Sequence, residues 1–138
     1  MLYVFDSDIF SLYMHDDANV LRQVINHAAA DLCLSIVTVE EAWTGWWTAI
    51  RQAKTQSVAA AGYEQLTETV VELRNWQIIS FSEPAMRRHS GLKLQKLNVR
   101  TNDLKIAAIS LEIGATVVTR NTRDFARVSG LTLEDWSK

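Results

Sequence analysis

The chain has 138 residues, of which 48% are hydrophobic and 22% are charged. This size and composition predict a single globular domain over residues 1–138 and exclude a disordered chain. The apolar run at residues 1–5 is too short for a signal peptide or a membrane span. The single Cys33 excludes an internal disulfide and favours a reducing compartment. We therefore expect a cytoplasmic protein without a membrane segment.

The net charge of −2 conceals an uneven distribution along the chain. Residues 1–83 carry four Arg and Lys against eleven Asp and Glu, whereas residues 84–138 carry ten against five. This distribution is consistent with a phosphate-backbone footprint beside an acidic site, although a solvated basic surface also explains it. The candidates for backbone contacts are Arg87, Arg88, Lys93, Arg120 and Arg123.

Short apolar runs alternate with segments of helical periodicity along the chain. The predicted strands are residues 2–5, 32–37, 78–81, 115–119 and 131–133. The predicted helices are residues 9–15, 18–30, 38–51, 57–74, 84–97 and 103–113. This alternation predicts an α/β fold with a central, mostly parallel sheet of four to five strands and helices on both faces.

Several helix ends carry recognisable signals. Thr38 with Glu41 three residues later has the form of a capping box, and Thr101-Asn102 is a candidate cap for the helix that begins at Asp103. Pro84 is well placed to open a helix, and Gly114 to end one. These signals predict where the chain turns from strand to helix.

Acidic and amide side chains follow the predicted strands. In open α/β sheets, ligands bind beyond the carboxyl ends of the strands. Singly, each of these side chains has a plain explanation as a helix cap or a turn residue. Together they would repel one another unless a cation lay among them, so the pattern predicts a cation site. The side chains are Asp6, Asp8, Glu40, Glu41, Asp103, Asn121 and Asp124.

No other set of metal ligands competes with these oxygens. His15, His27 and His89 are scattered, and one cysteine cannot form a zinc pattern. Oxygen-only ligands favour a hard cation, Mg²⁺ or Mn²⁺. The sequence also lacks a glycine-rich phosphate loop and a nucleophile elbow.

Four stretches occur in a fixed order over nearly the whole chain. They are VFDSD at residues 4–8, SIVTVEE at 35–41 with a glycine at 45, DLKIAA at 103–108, and VVTRNTRDF at 117–125 with Gly-Leu at 130–131. With these motifs the sequence resembles the PIN domain, and within it the small VapC-type toxins of bacterial toxin–antitoxin pairs. The third and fourth motifs together are the more specific part of the match.

The resemblance implies site residues. Asp6, Glu41 and Asp103 correspond to the catalytic, metal-binding acids of the family. Glu41 is preferred to its neighbour Glu40 because the glycine follows it at the family's spacing, and only one of two adjacent helical side chains can face the site. Ser7 has the position of a supporting hydroxyl group.

The fourth motif departs from the family pattern. Asn121 falls where many members have a fourth Asp, which leaves the number of metal ions open, one or two. Asp124, one helical turn further on, is a candidate to compensate as a ligand. Thr119 is a second candidate for a supporting hydroxyl group.

The resemblance further implies an endoribonuclease that hydrolyses RNA phosphodiester bonds with Mg²⁺ or Mn²⁺, a cognate antitoxin partner and a homodimer. Trp43, Trp46 and Trp47 lie within five residues, cover more than one face of a helix, and so predict an exposed aromatic side chain. A homodimer interface and an antitoxin groove are both open uses for that surface.

Two alternatives share part of this pattern. Haloacid-dehalogenase-like phosphatases also begin with a strand and Asp-x-Asp, but the 19 residues after Thr119 are too few for their remaining motifs. A non-catalytic RNA- or protein-binding module of the PIN fold is the other alternative. Retention of Asp6, Glu41 and Asp103 argues against it, whereas Asn121 leaves it open.

Overall fold

The computed structural model describes all residues, 1–138. Five short strands form one sheet in the order β3-β2-β1-β4-β5, and every neighbouring pair is parallel. The strands are β1 (Tyr3–Phe5), β2 (Leu32–Ser35), β3 (Gln77–Ile79), β4 (Thr116–Val118) and β5 (Thr132–Glu134). The predicted sheet of four to five mostly parallel strands is confirmed.

Seven helices connect the strands. They are α1 (Ser7–Met14), α2 (Ala18–Ile25), α3 (Ile36–Arg51), α4 (Gln56–Leu73), α5 (Glu83–Leu94), α6 (Thr101–Ile113) and α7 (Thr122–Phe125). The predicted helix at residues 18–30 ends early, at Ile25, and a 3-10 turn at Ala29–Asp31 leads into β2. None of the helices combines the length and hydrophobicity needed to cross a bilayer.

The sheet separates two hydrophobic cores, because successive side chains of a strand point to opposite faces. On one face, Val4 and Val117 pack with Ile106 of α6. On the other face, Phe5 packs with Ile9 of α1, together with α2 and Trp136. Helices therefore cover both faces of the sheet, as the alternation of elements predicts.

The predicted capping box at Thr38 is wrong. The strand ends two residues earlier than predicted, and Ser35 caps α3 by accepting a hydrogen bond from the backbone N–H of Thr38 at 3.2 Å. Thr38 lies buried inside the helix and donates its hydroxyl to the carbonyl of Phe5 at 3.3 Å. This bond ties α3 to the end of β1, beside the candidate acids.

The predicted cap of α6 is also wrong, whereas its end is confirmed. The helix begins at Thr101 with Arg100 at the capping position, and no side chain caps it. Gly114 ends the helix with a φ of 67°, a left-handed conformation that glycine adopts without strain. Pro84 lies in the first turn of α5, as predicted.

The order of the strands creates one place where a ligand can enter. From β1 the chain crosses to β2 on one side, while β4 lies on the other side of β1. Connections that diverge in this way leave a crevice at the carboxyl ends of the two strands. Asp6 follows β1 and Thr119 follows β4, so both lie at this crevice.

Candidate active site

Asp6 anchors the crevice. Its Oδ1 accepts the backbone N–H of Ile9 at 2.9 Å, which caps α1, and its Oδ2 accepts the hydroxyl of Thr119 at 2.6 Å. The side chain is buried, with 5% of the residue exposed. Burial raises the pKa of Asp6 from 3.8 to about 6, against the opposing effect of the two hydrogen bonds.

Asp103 brings a second carboxylate to the same crevice. It lies in the first turn of α6 and is as buried as Asp6. Its negative charge adds to the rise of the Asp6 pKa, together with that of Asp8, but both effects are smaller than that of burial. The sequence predicted repulsion between converging acids, whereas removal from water is the main cause.

Asn121 lies beside these acids. Its backbone N–H donates to the Thr119 hydroxyl at 2.8 Å, and its side-chain Nδ2 donates to Oδ2 of Asp124 at 3.1 Å. The amide nitrogen is therefore turned towards Asp124, and Oδ1 is the atom that remains to accept or ligate.

Asp124 does not line the crevice. Its Oδ1 pairs with Arg127 at 3.3 Å and its Oδ2 accepts from Asn121. The first turn of α7 points the Asp124 carboxylate at Arg127, and the expectation that Asp124 compensates as a ligand stays a prediction. Its contact with Asn121 fixes the orientation of that amide.

Glu41 faces the site and Glu40 does not. Ser7 donates its hydroxyl to Oε1 of Glu41 at 2.6 Å, whereas Glu40 is exposed. Ser7 thus links the first and second motifs. The hydroxyl of Thr119 binds Asp6, so both candidate supporting residues contact an acid.

Two arginines lie among the acids. The sequence did not indicate that either arginine pairs with an acid. The Arg100 guanidinium lies 3.4 Å from Oδ1 of Asp103 and 3.7 Å from Oε2 of Glu41. Arg120 holds Asp8 through two bonds of 2.6 and 2.8 Å. The i, i+3 spacing of Arg100 and Asp103 on one helix start was the only available signal.

These side chains line an open cleft of about 500 Å³ in which no lining residue is hydrophobic. The lining residues are Asp6, Ser7, Asp8, Arg100, Asp103, Arg120 and Asn121. The cations of α5 are elsewhere: Arg87 pairs with Glu83, and Arg88 pairs with Glu112 at the far end of α6. Lys93 and Arg123 are exposed.

Comparison with known proteins agrees with this geometry. A family model described as the PIN domain matches residues 3–131. The chain belongs to the PIN-domain family. Ribonuclease VapC1 of Haemophilus influenzae strain R2866 is 30% identical over 145 residues, covering the whole of both chains. The predicted VapC-type membership of this PIN-domain protein is thereby confirmed.

Two solved structures share the fold of this PIN domain. The DNA-bound VapBC of Salmonella typhimurium gives a TM-score of 0.80 at 22% identity, over 99% of both chains. A toxin–antitoxin complex from Klebsiella pneumoniae gives 0.71 at 22% identity, over 94% of this chain and 95% of that one. The likeness extends over almost the entire sheet and its helices.

The cleft fits a divalent cation in its chemistry, although not as a finished site. Asp6 and Asp103 offer buried carboxylate oxygens, and Asn121 offers a neutral oxygen, the ligand types that Mg²⁺ and Mn²⁺ prefer. No three acidic, histidine or cysteine side chains stand close enough together to hold an ion. Glu41 is engaged by Ser7 and Arg100 instead. The expected convergence of three acids is therefore only partly present.

Thermal melting separates a ligand from a helix cap at Asp103. In EDTA, Asp103→Asn should melt within a few degrees of the wild type, because relief of repulsion offsets the lost helix-dipole and Arg100 interactions, each worth about 1 kcal/mol or less. At about 100 times the dissociation constant, Mn²⁺ should stabilise the wild type by about 2.7 kcal/mol and the variant much less. Glu83→Gln, also in a first helical turn, is the matched control. Equal responses of Asp103→Asn and the wild type to Mn²⁺ would make Asp103 a cap only.

Proposed function

We propose that this protein is a metal-dependent endoribonuclease that hydrolyses RNA phosphodiester bonds as the toxin of a toxin–antitoxin pair. The observation that carries the proposal is the pair of buried acids, Asp6 and Asp103, in a wholly polar cleft at the carboxyl edge of the sheet. Asp6 is buried without a basic partner, and burying an unpaired carboxylate is costly, so the arrangement is best explained by a cation that offsets this cost. The curated relative named as a ribonuclease supports the choice of RNA.

The residues of the cleft have different proposed roles in binding the metal ion. Asp6 and Asp103 would hold a bound Mg²⁺ or Mn²⁺, with Asn121 as a neutral oxygen ligand. When bound, the ion supplies a nucleophilic water at neutral pH and neutralises charge on the phosphoryl oxygens. Thr119 fixes the rotamer of Asp6 through its 2.6 Å bond. One ion is the simpler expectation, because an amide replaces the fourth acid.

Glu41 and the arginines would act on the substrate side. The Ser7 bond orients Glu41, which borders the cleft through Ser7 and Arg100 and would act as a proton acceptor. Arg100 and Arg120 present guanidinium groups where a phosphate would enter, and such groups bind phosphate in a bidentate way. With a phosphate and a cation bound, Arg100 would be free to leave its carboxylate partners and bind phosphate oxygens.

Paired substitutions distinguish the two adjacent glutamates. Glu41→Gln should lower the rate of RNA cleavage by about tenfold to a hundredfold, because it removes a proton acceptor held at the cleft. Glu40→Gln serves as the matched control and should change the rate less than twofold, since that side chain is exposed. Initial rates on one RNA oligonucleotide measure both. A reversal of the two effects would contradict the placement of Glu41.

Salt dependence measures which cations touch the RNA backbone. Each lost phosphate contact should lower the slope of log affinity against log salt by about 0.7 for single-stranded RNA. We expect this change for Arg120→Gln, and a further change for Arg87, Arg88 and Lys93 replaced together by Ala if the footprint extends along α5. Arg74→Ala is the control, because Arg74 precedes β3 and so lies at the amino-terminal ends of the strands, away from the cleft. An unchanged slope for the triple variant would leave α5 as a solvated surface.

The proposal includes partners. The VapBC and toxin–antitoxin assemblies that share the fold support a cognate antitoxin for this chain, and we also propose a homodimer. Trp43 and Trp47 are 50% and 44% exposed on α3, which provides an aromatic surface for one of these contacts. We place the protein in the cytoplasm, in keeping with its single free, buried Cys33.

A nuclease assay tests the proposed activity against the non-catalytic alternative. Purified protein should cleave RNA with Mg²⁺ or Mn²⁺, lose activity in EDTA and regain it when the metal is restored. Duplex DNA of matched length is the negative control. RNA binding without cleavage at any metal concentration would favour a binding module of the same fold.

A further inference from the structure

The backbone of Asn121 is fixed at the polar cleft. Its N–H donates to the Thr119 hydroxyl at 2.8 Å, and that hydroxyl donates to Oδ2 of Asp6 at 2.6 Å. One hydroxyl group therefore ties Asn121 to a buried acid, and the Asn121 side chain lines the cleft beside it. These backbone contacts leave open which end of the side-chain amide faces the cleft, the oxygen or the nitrogen.

The two ends of this amide have opposite chemistry. Oδ1 can bind a cation, whereas Nδ2 carries two N–H groups and cannot. Asn121 occupies the capping position of α7, where an asparagine oxygen commonly accepts a backbone N–H of the first turn. No such bond forms here, and the side chain of Asn121 bonds within the protein only through Nδ2. Its oxygen therefore stays available for another partner.

Asp124 selects the orientation of the amide. Paired with Arg127, its carboxylate offers acceptors only, so it can bind Nδ2 of Asn121 but not Oδ1. Nδ2 donates to Oδ2 of Asp124 at 3.1 Å. Asp124 lies outside the cleft that Asn121 lines. The bond therefore draws the nitrogen away from the cleft and leaves the oxygen on the cleft side.

Arg127 fixes the carboxylate of Asp124 in turn. Its Nη1 lies 3.3 Å from Oδ1 of Asp124 and donates to the carbonyl of Asn98 at 2.8 Å. The side chains of Arg127 and Asp124 are only 32% and 31% exposed, so water screens this pair less than an ordinary surface pair. A continuous series of contacts thus runs from the loop between α5 and α6 through Arg127 and Asp124 to the amide of Asn121.

We infer that Asp124 and Arg127 are positioning residues of the metal site, which turn the Asn121 amide so that its oxygen faces the cation. The inference rests on the proposed function and deepens it by naming what makes an amide usable at the position of the fourth acid. An aspartate there would present an oxygen in either orientation, whereas an asparagine needs a partner that selects one. Replacing a residue that orients a metal ligand typically weakens metal binding by about tenfold to a hundredfold.

Direct binding of the cation by Asp124 fits the contacts less well. One of its oxygens is engaged by Arg127 and the other by Asn121, and the residue does not line the cleft. Direct binding would require at least one of these contacts to break. The observed contacts therefore favour an indirect role for Asp124.

Exchanging the amide and the carboxylate tests the orientation. In Asp124→Asn, Arg127 still donates and would bind the new oxygen, so the new amide nitrogen would face Asn121 and bind its Oδ1. The Asn121 amide would then turn its own nitrogen to the cleft. By calorimetric titration, the dissociation constant for Mn²⁺ should rise by about tenfold to a hundredfold.

The exchanged pair, Asn121→Asp combined with Asp124→Asn, keeps the net charge of the wild type. In this variant the new amide nitrogen binds one oxygen of the new carboxylate, and the other oxygen stays on the cleft side. Its affinity for Mn²⁺ should equal or exceed that of the wild type. Melting curves in EDTA confirm that each variant is folded before its affinity is compared.

A double-mutant cycle separates positioning from direct binding. Asn121→Ala removes the amide, so adding Asp124→Asn to it should weaken Mn²⁺ binding by less than about twofold. That remaining loss measures the effect of the missing charge alone. Arg127→Met should weaken binding in the same direction as Asp124→Asn, and Arg127→Lys should restore most of the affinity because it keeps a cation beside the carboxylate.

Glu112→Gln is the matched control for the loss of a paired carboxylate. The Glu112 side chain is 31% exposed, as Asp124 is, and it pairs with Arg88 away from the cleft. Its affinity for Mn²⁺ should equal that of the wild type.

Hydrogen exchange tests the contact without a metal. In isotope-labelled, metal-free protein, the side-chain NH₂ signals of Asn121 are identified by their absence in Asn121→Asp. The bond to Asp124 should slow their exchange with water. In Asp124→Asn the exchange should become faster, because the nitrogen then faces the open cleft.

Several results would overturn the inference. Asp124→Asn could bind Mn²⁺ as tightly as the wild type, or the exchanged pair could bind it as weakly as Asp124→Asn. Equal losses from Asp124→Asn with and without the Asn121 amide would make Asp124 a direct ligand. Unchanged hydrogen exchange in Asp124→Asn would mean that the amide does not turn. A wild type that binds no Mn²⁺ would remove the metal site and the inference together, whereas Mn²⁺ binding without RNA cleavage would remove only the proposed function.

Discussion

Replacing Asp6 with Asn is expected to lower RNA cleavage by about a hundredfold to ten-thousandfold while the fold survives. The amide keeps the size of the side chain but loses the charge that would bind the cation, at a cost of several kcal/mol in the transition state. The fold survives because Asn caps helices as well as Asp does, so the bond from the Ile9 N–H is retained.

A matched substitution controls for the loss of a capping carboxylate. Asp17 caps α2 by accepting the N–H groups of Asn19 and Val20, away from the cleft. Asp17→Asn should therefore retain cleavage within about twofold. Equal activity of Asp6→Asn and the wild type, in preparations free of other nucleases, would remove Asp6 from the reaction.

The stability of the metal-free protein should depend on pH through Asp6. Its pKa rises from 3.8 to about 6 on folding, so this group stabilises the fold below pH 4 and that contribution is lost as the pH rises through 6. The difference corresponds to about 3 kcal/mol. The Asn side chain of Asp6→Asn cannot ionise. In EDTA, the free energy of unfolding of this variant relative to that of the wild type should therefore rise by about this amount between pH 4 and pH 7.5.

Urea unfolding at both pH values measures this difference, since only the change in the gap between the two proteins is attributed to Asp6. Saturating Mn²⁺ at pH 7.5 should remove the disadvantage of the wild type and leave Asp6→Asn unaffected, because the ion stabilises the ionised carboxylate. If the difference in unfolding free energy between the two proteins stays constant from pH 4 to pH 7.5, burial does not raise the pKa of Asp6 on folding.

The sequence predicted the sheet and most helices because hydrophobic periodicity follows burial directly. It misplaced the switch from β2 to α3, since residues 32–37 read as one apolar run and the pattern cannot show where a strand becomes a buried helix. Ser35 ends the strand and caps the helix within this run. Thr38 lies inside the helix, where its buried hydroxyl forms a hydrogen bond to the last residue of β1.

The acids were predictable as candidates because strand ends of a parallel sheet share one edge. Their cationic neighbours were not: Asp8 and Arg120 are 112 residues apart, and no local pattern pairs them. Arg100 was not singled out either, although it contacts Asp103 and Glu41. Long-range pairs of this kind depend on packing, as does the burial that dominates the pKa of Asp6.

We propose that Asp6 and Asp103 together hold one divalent cation. An anomalous difference map from crystals grown with Mn²⁺, under conditions in which the protein cleaves RNA, tests it most directly. We expect one peak in the cleft, about 2.0–2.3 Å from a carboxylate oxygen of each acid, with Arg100 displaced from Glu41. An empty cleft, or a peak that touches neither Asp6 nor Asp103, would contradict it.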